Sequence, residues 1–186
     1  MAPKGSPERG LIRGDDSLIL IIDMQERLLP VISGRERIIE NAIKLIRFSK
    51  IMSLPVIVTE QENLGATVPE IAAQLDPFEP VRKVAFNGFG SYEFRKRLEL
   101  LEPSCLIIAG VEAHICVAQT ALHAAQAYTV HVVDDAVSSR APSNVEVARN
   151  RLLQCGVAVT STEMLIYEIL ERADTPHFRE VLQLVK

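Results

Sequence analysis

Three residues of this sequence carry side chains that could act together as a nucleophile, a base and a cation. Cys116 comes shortly after the apolar run at residues 105–109 and leads into a segment with helical character. Asp23 ends the apolar run at residues 17–22, and Lys83 lies in a short apolar segment. Each of the three therefore comes at or near the end of a predicted strand, where α/β proteins place ligands and catalytic groups.

Together these groups could perform covalent hydrolysis. Cys116 would attack an electrophilic carbon as a thiolate, and Asp23 would accept the thiol proton and return it to the leaving group. Lys83 would stabilise the thiolate and keep the carboxylate ionised. The backbone N–H of Cys116 would bind the developing oxyanion. Because Cys116 lies near the start of a predicted helix, the helix dipole is expected to lower the pKa of its thiol.

The elements that would position these residues alternate between strand and helix. Strands are predicted at residues 17–23, 55–60, 81–84, 105–109, 129–133 and 157–160. Helices are predicted at residues 35–54, 68–75, 92–101, 115–127, 145–154, 164–172 and 176–185. This alternation is typical of right-handed βαβ units, so we predict a three-layer α/β/α, Rossmann-like fold with a mostly parallel sheet of about six strands.

Composition narrows the function classes. The 186 residues suit one domain, here residues 16–186, preceded by a flexible polar tail at residues 1–15. The net charge of -4 and the lack of a block of basic residues argue against a nucleic-acid partner, and no apolar run is long enough for a membrane helix. The tail lacks a signal-peptide segment, and three cysteines do not suggest a disulfide framework, so a cytoplasmic protein is expected.

Three segments resemble the signatures of the isochorismatase-like cysteine hydrolases. They are LIIDMQ at residues 20–25, KVAFNGF at residues 83–89 and GVEAHICVAQT at residues 110–120. The resemblance covers about residues 16–170. It implies a catalytic triad of Asp23, Lys83 and Cys116. It also implies a cis peptide bond between Val111 and Glu112, which would aim the Glu112 N–H at the same oxyanion as the Cys116 N–H.

The resemblance further implies a small-molecule amide, carbamoyl compound or related metabolite as substrate, and a homo-oligomer. Residues 59–61 (TEQ) and 64–70 (LGATVPE) resemble the branch of isochorismatase-domain-containing proteins. The nicotinamidase branch carries an Asp-x-His metal motif here, which this chain lacks, so neither a metal nor any other cofactor is expected. Candidate substrate-binding residues are Gln25, Gln61, Phe86 and Phe89.

Other interpretations of the same residues stay open. Cys116 could be an ordinary buried cysteine, as we expect for Cys105 and Cys155. Asp23 and Lys83 could form a purely structural ion pair. The chain could then be a non-catalytic module that binds a metabolite or a protein, or a redox-active thiol protein. Asp134 and Asp135 could line the crevice, but a helix-capping or interface role is expected. The apolar residues 181–185 are compatible with an exposed subunit contact.

Overall fold

A computed structural model describes residues 10–186 and contains a six-stranded parallel sheet. The strand order is β3-β2-β1-β4-β5-β6, and every neighbouring pair is parallel. The strands are β1 (Ser17–Ile22), β2 (Val56–Gln61), β3 (Val81–Lys83), β4 (Cys105–Val111), β5 (Thr129–Ser138) and β6 (Ala158–Thr160). The predicted α/β class and strand number are confirmed.

Helices cover both faces of the sheet. They are α1 (Arg35–Met52), α2 (Pro69–Ala72), α3 (Tyr92–Leu101), α4 (Ala118–Ala124), α5 (Pro142–Gln154), α6 (Thr162–Leu170) and α7 (Phe178–Val185). Alternate residues of β1 enter two separate apolar clusters, one containing side chains of α1, α6 and α7, the other containing side chains of α3, α4 and α5. Because β1 is buried on both faces, its uninterrupted apolar sequence is explained.

The strand order reverses direction between β1 and β4. From β1 the chain moves outward through β2 and β3, then returns to place β4 on the other side of β1. The register pairs Ile22 with Gly110, so the carboxyl ends of the two central strands lie side by side. In open parallel sheets a functional crevice forms at such a reversal. Asp23 directly follows Ile22, and the segment that carries Cys116 follows β4, so both start from this point of the sheet.

Strand β5 is longer than its apolar pattern predicts. It continues through Asp134 and Asp135 to Ser138, with a register shift against β4 that marks a bulge. Asp135 accepts hydrogen bonds from the Thr162 N–H and hydroxyl, at 2.9 and 2.8 Å, and so caps the start of α6, as predicted. Helix α5 begins at Pro142, before the predicted start at residue 145, because proline suits the first turn of a helix.

The ends of the domain differ from the sequence-based expectation. Residues 1–9 of the predicted tail lie outside the described part of the chain. Ile12, which the tail was also predicted to include, is buried, and its N–H donates to Glu168 Oε2 at 3.2 Å. The predicted exposure of residues 181–185 is wrong: Val181 is fully buried in α7, and Leu184 and Val185 pack against the same core. Within residues 10–186, no helix is long and apolar enough to cross a membrane.

Candidate active site

The centre of the site is a buried ion pair between the first and third strands. Lys83 Nζ donates to Asp23 Oδ2 at 2.6 Å, and the two side chains are 1% and 0% exposed. A buried charge is costly unless it is paired and hydrogen-bonded, so each group requires the other. The structure thus brings together two of the three residues that the sequence singles out.

Strand β2 lies between these residues and provides a hydrogen-bond partner for each. Thr59 Oγ1 donates to Asp23 Oδ1 at 2.7 Å, and Gln61 Oε1 accepts from Lys83 Nζ at 2.8 Å. Thr59 and Gln61 are two positions apart, so their side chains leave the same face of the strand. The register also places Gln61 opposite Lys83. Gln61 therefore orients the lysine, and Thr59, which the sequence analysis did not single out, orients the carboxylate.

Gln25 supports this arrangement from a fully buried position. Its Nε2 donates to the carbonyl oxygens of Gln61 and Gly65, at 2.9 and 2.6 Å, and its Oε1 accepts from the Gln61 N–H at 2.8 Å. These bonds attach the loop after β2 to the segment after β1. Since the amide is occupied within the protein, the geometry favours a positioning role for Gln25 over the predicted contact with substrate.

Cys116 lies in a π-helical turn, Ala113–Val117, that joins β4 to α4. The Glu112 carbonyl begins this turn and accepts from the N–H groups of Ile115 and Val117, at 3.0 and 3.3 Å. The predicted helix at residues 115–127 is therefore a π turn followed by a shorter α-helix. Cys116 itself is buried, and the charges of Asp23 and Lys83 both act on its thiol. The third predicted residue thus faces the ion pair.

The predicted lowering of the thiol pKa is wrong. The pKa of the Cys116 thiol is raised to about 12, chiefly by burial and then by the negative charge of Asp23, while Lys83 acts in the opposite direction. A buried thiolate loses its hydration, which outweighs the dipole of the short helix that follows. A thiol whose pKa is raised in this way needs a neighbouring base before its sulfur can act as a nucleophile.

Glu112 follows directly after β4, and the Val111–Glu112 peptide bond is cis. Its side chain is buried, and its carboxylate accepts hydrogen bonds from the Arg140 N–H at 2.9 Å and from Arg140 Nε at 3.2 Å. His114 lies two residues after Glu112, and its Nδ1 is 2.9 Å from Ser139 Oγ. The sequence analysis did not single out Arg140 or Ser139, because nothing near them in sequence indicates a partner.

The two predicted aromatic residues occupy different environments. The Phe89 ring stacks on His123 with centroids 4.3 Å apart and meets the edge of Phe94 at 5.2 Å. Phe89 therefore packs the turn after β3 against α3 and α4. Phe86 is more than half exposed. Across residues 10–186, no group of three or more His, Cys, Asp or Glu side chains is placed to hold a metal ion.

Replacing Lys83 with methionine tests how far the fold depends on the buried pair. Lys83→Met leaves the Asp23 carboxylate buried without its cation, so we expect the free energy of unfolding to fall by about 3–5 kcal/mol. Urea denaturation followed by circular dichroism measures the change. Lys44→Met is the control, because it removes a surface pair with Glu40 at 3.0 Å in α1 and should cost about 0.3–0.5 kcal/mol. Equal losses in the two variants would contradict the structural importance of the buried pair.

Comparison with known proteins shows the family to which this chain belongs. The isochorismatase domain profile matches residues 17–164. Isochorismatase domain-containing protein 2 of Danio rerio is 33% identical over 179 residues, which cover 95% of this chain and 90% of that protein. Both matches span β1 to α6, the part of the chain that contains Asp23, Lys83 and Cys116.

Solved structures show the same architecture. The MAR1 ribonuclease of Caenorhabditis elegans superposes with a TM-score of 0.88 at 33% identity, covering 95% of this chain and 92% of that one. YcaC from Pseudomonas aeruginosa, determined with hexane-2,5-diol and covalent acrylamide, has a TM-score of 0.86 at 25% identity, with coverage of 95% and 92%. The YcaC gene product of Escherichia coli, described as an octameric hydrolase of unknown specificity, has a TM-score of 0.83 at 24% identity, with coverage of 93% and 95%. The chain therefore belongs to the isochorismatase domain family.

Proposed function

We propose that the chain is a cysteine hydrolase that cleaves a small amide, carbamoyl compound or related metabolite through a covalent intermediate on Cys116. The observation that carries this proposal is the buried Asp23–Lys83 pair, whose two charges both act on the buried Cys116 thiol. A base beside a neutral thiol is the arrangement that nucleophilic catalysis requires. The family membership agrees with a hydrolase.

In the first half of the reaction, Cys116 Sγ attacks the carbonyl carbon while Asp23 accepts the thiol proton. The carbonyl oxygen becomes an oxyanion, which the N–H groups of Glu112 and Cys116 bind. When the C–N bond breaks, Asp23 returns the proton to the leaving amine, and an acyl group remains on sulfur. Lys83 stays paired with Asp23 and balances the charge of its carboxylate.

In the second half, a water molecule attacks the thioester carbon while Asp23 again acts as the base. The oxyanion forms a second time at the same N–H groups. When the C–S bond breaks, the proton goes back to the Cys116 sulfur, and the free acid leaves. One water is consumed for each amide cleaved, and the site returns to its starting state without any cofactor.

RNA is an alternative substrate, because the C. elegans relative is described as a ribonuclease. The net charge of this chain is -4, whereas nucleic-acid binding is usually accompanied by a basic surface. We therefore favour a small neutral or weakly charged substrate. A non-catalytic module for binding a metabolite or a protein is the remaining alternative, and the complete set of Asp23, Lys83 and Cys116 argues against it.

We also propose a homo-oligomer, as described for the E. coli relative, and a cytoplasmic location. Three apolar side chains near β3 are well exposed and would suit a contact between subunits, namely those of Val84, Phe86 and Tyr92. All three cysteines are free, which is compatible with a reducing compartment.

Selective labelling with acrylamide tests the proposed chemistry without knowledge of the substrate. Exposed Cys155 is first replaced by serine, because it would react with any electrophile. Burial and the charge of Asp23 raise the pKa of the Cys116 thiol, so its reaction at neutral pH should depend on Asp23 as base. We expect peptide mass spectrometry to find acrylamide on Cys116 and little on buried Cys105.

The Asp23→Asn variant is the decisive comparison. It should lose labelling of Cys116 at neutral pH. Because Lys83 is then buried without its anion, labelling is measured at a temperature where circular dichroism shows that the variant is folded. Unchanged labelling in this variant would remove Asp23 from the base role, and equal labelling of Cys105 and Cys116 would remove the case for a nucleophile. A panel of small amides, ureas and esters, with a short RNA as a further arm, then separates the substrate classes.

A further inference from the structure

We infer that the Glu112 carboxylate is a positioning residue for the reaction, which aligns the oxyanion-binding turn through its hydrogen bonds to Arg140. The inference rests on the proposed function, because it concerns the backbone N–H groups of that site. It assigns a role to the side chain of Glu112, which neither an oxyanion hole nor a catalytic triad requires. The inference is drawn from four hydrogen bonds that hold residue 112 in place, two at its carbonyl oxygen and two at its carboxylate.

Residue 112 is held through its carbonyl oxygen and through its side-chain carboxylate. Its carbonyl oxygen accepts from the N–H groups of Ile115 and Val117, which places it at the start of the π turn. Its carboxylate accepts from the main-chain N–H of Arg140 at 2.9 Å and from the side-chain Nε at 3.2 Å. The peptide nitrogen of Glu112 is bonded to the same Cα atom as the carbonyl group and the side chain. Holding those two groups therefore restricts how far the N–H can turn.

The partner of Glu112 belongs to the connection between β5 and α5. This connection meets the turn at a second point, since Ser139 Oγ lies 2.9 Å from Nδ1 of His114. Ser139 is fully buried, and the hydroxyl of the preceding Ser138 donates to the Ser33 carbonyl at 2.6 Å. The connection is therefore attached to the body of the domain. Its contacts with Glu112 and His114 therefore hold the turn in place relative to the rest of the domain.

The burial of Glu112 argues for alignment over general stabilisation. The Glu112 side chain is 6% exposed, whereas that of Arg140 is 61% exposed. A buried carboxylate loses much of its hydration, and a largely solvated guanidinium returns little of that loss. An apolar side chain would pack at this position without that cost. What a carboxylate supplies, and an apolar residue cannot, is an acceptor aimed at the Arg140 N–H.

Alignment matters because oxyanion donors act over a narrow range of geometry. A displacement of about 1 Å at a reacting group can lower the rate by about 10²-fold. Loss of one oxyanion donor has a similar or larger effect. If Glu112 is cut back, the turn keeps its bonds to Ile115 and Val117 but loses its attachment to Arg140. The N–H direction then relaxes, whereas the Cys116 thiol keeps its neighbours Asp23 and Lys83.

The test compares Glu112→Gln and Glu112→Ala in the full chain. Glutamine keeps one acceptor oxygen for the Arg140 N–H, and alanine keeps none. We expect kcat on the best substrate of the panel to fall by about tenfold in the first variant and by about 10²-fold in the second, with KM changed by less than about threefold. Alkylation of Cys116 by iodoacetamide should stay within about twofold of the wild type, because displacement of iodide needs the base but develops no oxyanion.

A second measurement reads the oxyanion site directly. Propanal adds to the Cys116 thiol: the S–C bond forms, the carbonyl bond opens, and its oxygen takes the thiol proton to give a hemithioacetal. NMR with propanal carrying ¹³C at its carbonyl carbon measures the Kd. We expect the Kd to rise by about tenfold or more in Glu112→Ala, with a smaller rise in Glu112→Gln. Arg140→Ala should have less effect than Glu112→Ala, because the main-chain donor remains.

Asp135→Asn is the matched control. It alters a carboxylate that also accepts from a main-chain N–H, here that of Thr162 at 2.9 Å, but outside the turn. It should lower the Tm by an amount similar to Glu112→Gln and leave kcat and the propanal Kd within about twofold. If Glu112→Ala lowers only the Tm and matches the wild type in kcat and Kd, Glu112 is structural and the inference is overturned. A wild type that neither turns over a substrate, nor binds propanal, nor labels at Cys116 contradicts the proposed function itself.

Discussion

The Cys116→Ala variant is expected to lose turnover by about 10⁴-fold or more while it keeps the fold. Removal of a covalent nucleophile takes away the reaction path itself, because Asp23 and the oxyanion donors then have no bond-forming partner. The stability cost should be about 1 kcal/mol or less, since a small buried side chain becomes slightly smaller. Steady-state kinetics on the best substrate of the amide panel and thermal unfolding measure the two effects separately.

Cys105→Ala is the control for this experiment. Cys105 is also buried, and burial raises the pKa of its thiol to about 11. It lies in the same strand-to-helix unit but at the opposite end of β4 from the site. We expect full activity in this variant. Residual turnover above a few per cent in Cys116→Ala would contradict the covalent mechanism, and a wild type inactive on the whole panel would favour the binding-module alternative.

The Gly110→Ala variant is expected to lose more than about 4 kcal/mol of stability, or to yield no folded protein. A Cβ atom at this position would lie 2.1 Å from the Ile22 carbonyl oxygen and 2.6 Å from the Ile22 nitrogen. Gly110 also has a φ of +115°, which a residue with a side chain rarely adopts. Because both contacts are to the backbone of the neighbouring central strand, no side-chain rearrangement can relieve them.

Gly156→Ala provides a control for backbone conformation alone. Gly156 has a φ of +82°, and no heavy atom lies within 4 Å of the position that its Cβ would take. It should cost only about 1–2 kcal/mol. Soluble yield and urea denaturation of the two variants, expressed side by side, give the comparison. A Gly110→Ala protein as stable as Gly156→Ala would mean that β1 and β4 can separate at their carboxyl ends.

The Gly110 contact also explains how the site is assembled. Ile22 immediately precedes Asp23, and Gly110 is two residues before Glu112. The close approach of these two strand ends therefore brings the base and the nucleophile-bearing turn to one point of the sheet. The sequence shows a glycine after an apolar run, which predicts a turn. It does not show that the space for a side chain is occupied by another strand.

The catalytic candidates were predictable because they carry strong local signals. A charged residue that ends a long apolar run is unusual, and Asp23 ends such a run. Cys116 lies in a specific motif, which also marks the position of the cis bond at Val111–Glu112. The residues that orient them carry no such signal. The residue types of Thr59 and Arg140 are common in a strand and in a loop, so neither stands out in the sequence. The sheet register brings Thr59 to Asp23, and the β5–α5 connection brings Arg140 to Glu112.

The direction of the Cys116 pKa shift also depends on tertiary contacts that the local sequence does not reveal. A helix start near a cysteine is visible in the sequence and predicts a lowered pKa. Burial depends on all the segments that surround the thiol, and it reverses the direction. The bulge in β5 and the burial of Val181 were missed for a related reason, because both depend on packing between elements that are far apart in the chain.

By itself, the amino-acid sequence determined the alternation of strands and helices, the parallel sheet, and the identity of Asp23, Lys83 and Cys116. These follow from apolar periodicity and short motifs, which act within a few residues. Only the tertiary structure shows the direction of the thiol pKa shift, the hydrogen bonds of Gln25 and Gln61, and the attachment of Glu112 to Arg140. These depend on distances between segments separated by tens of residues, which are set only when the two central strands lie side by side.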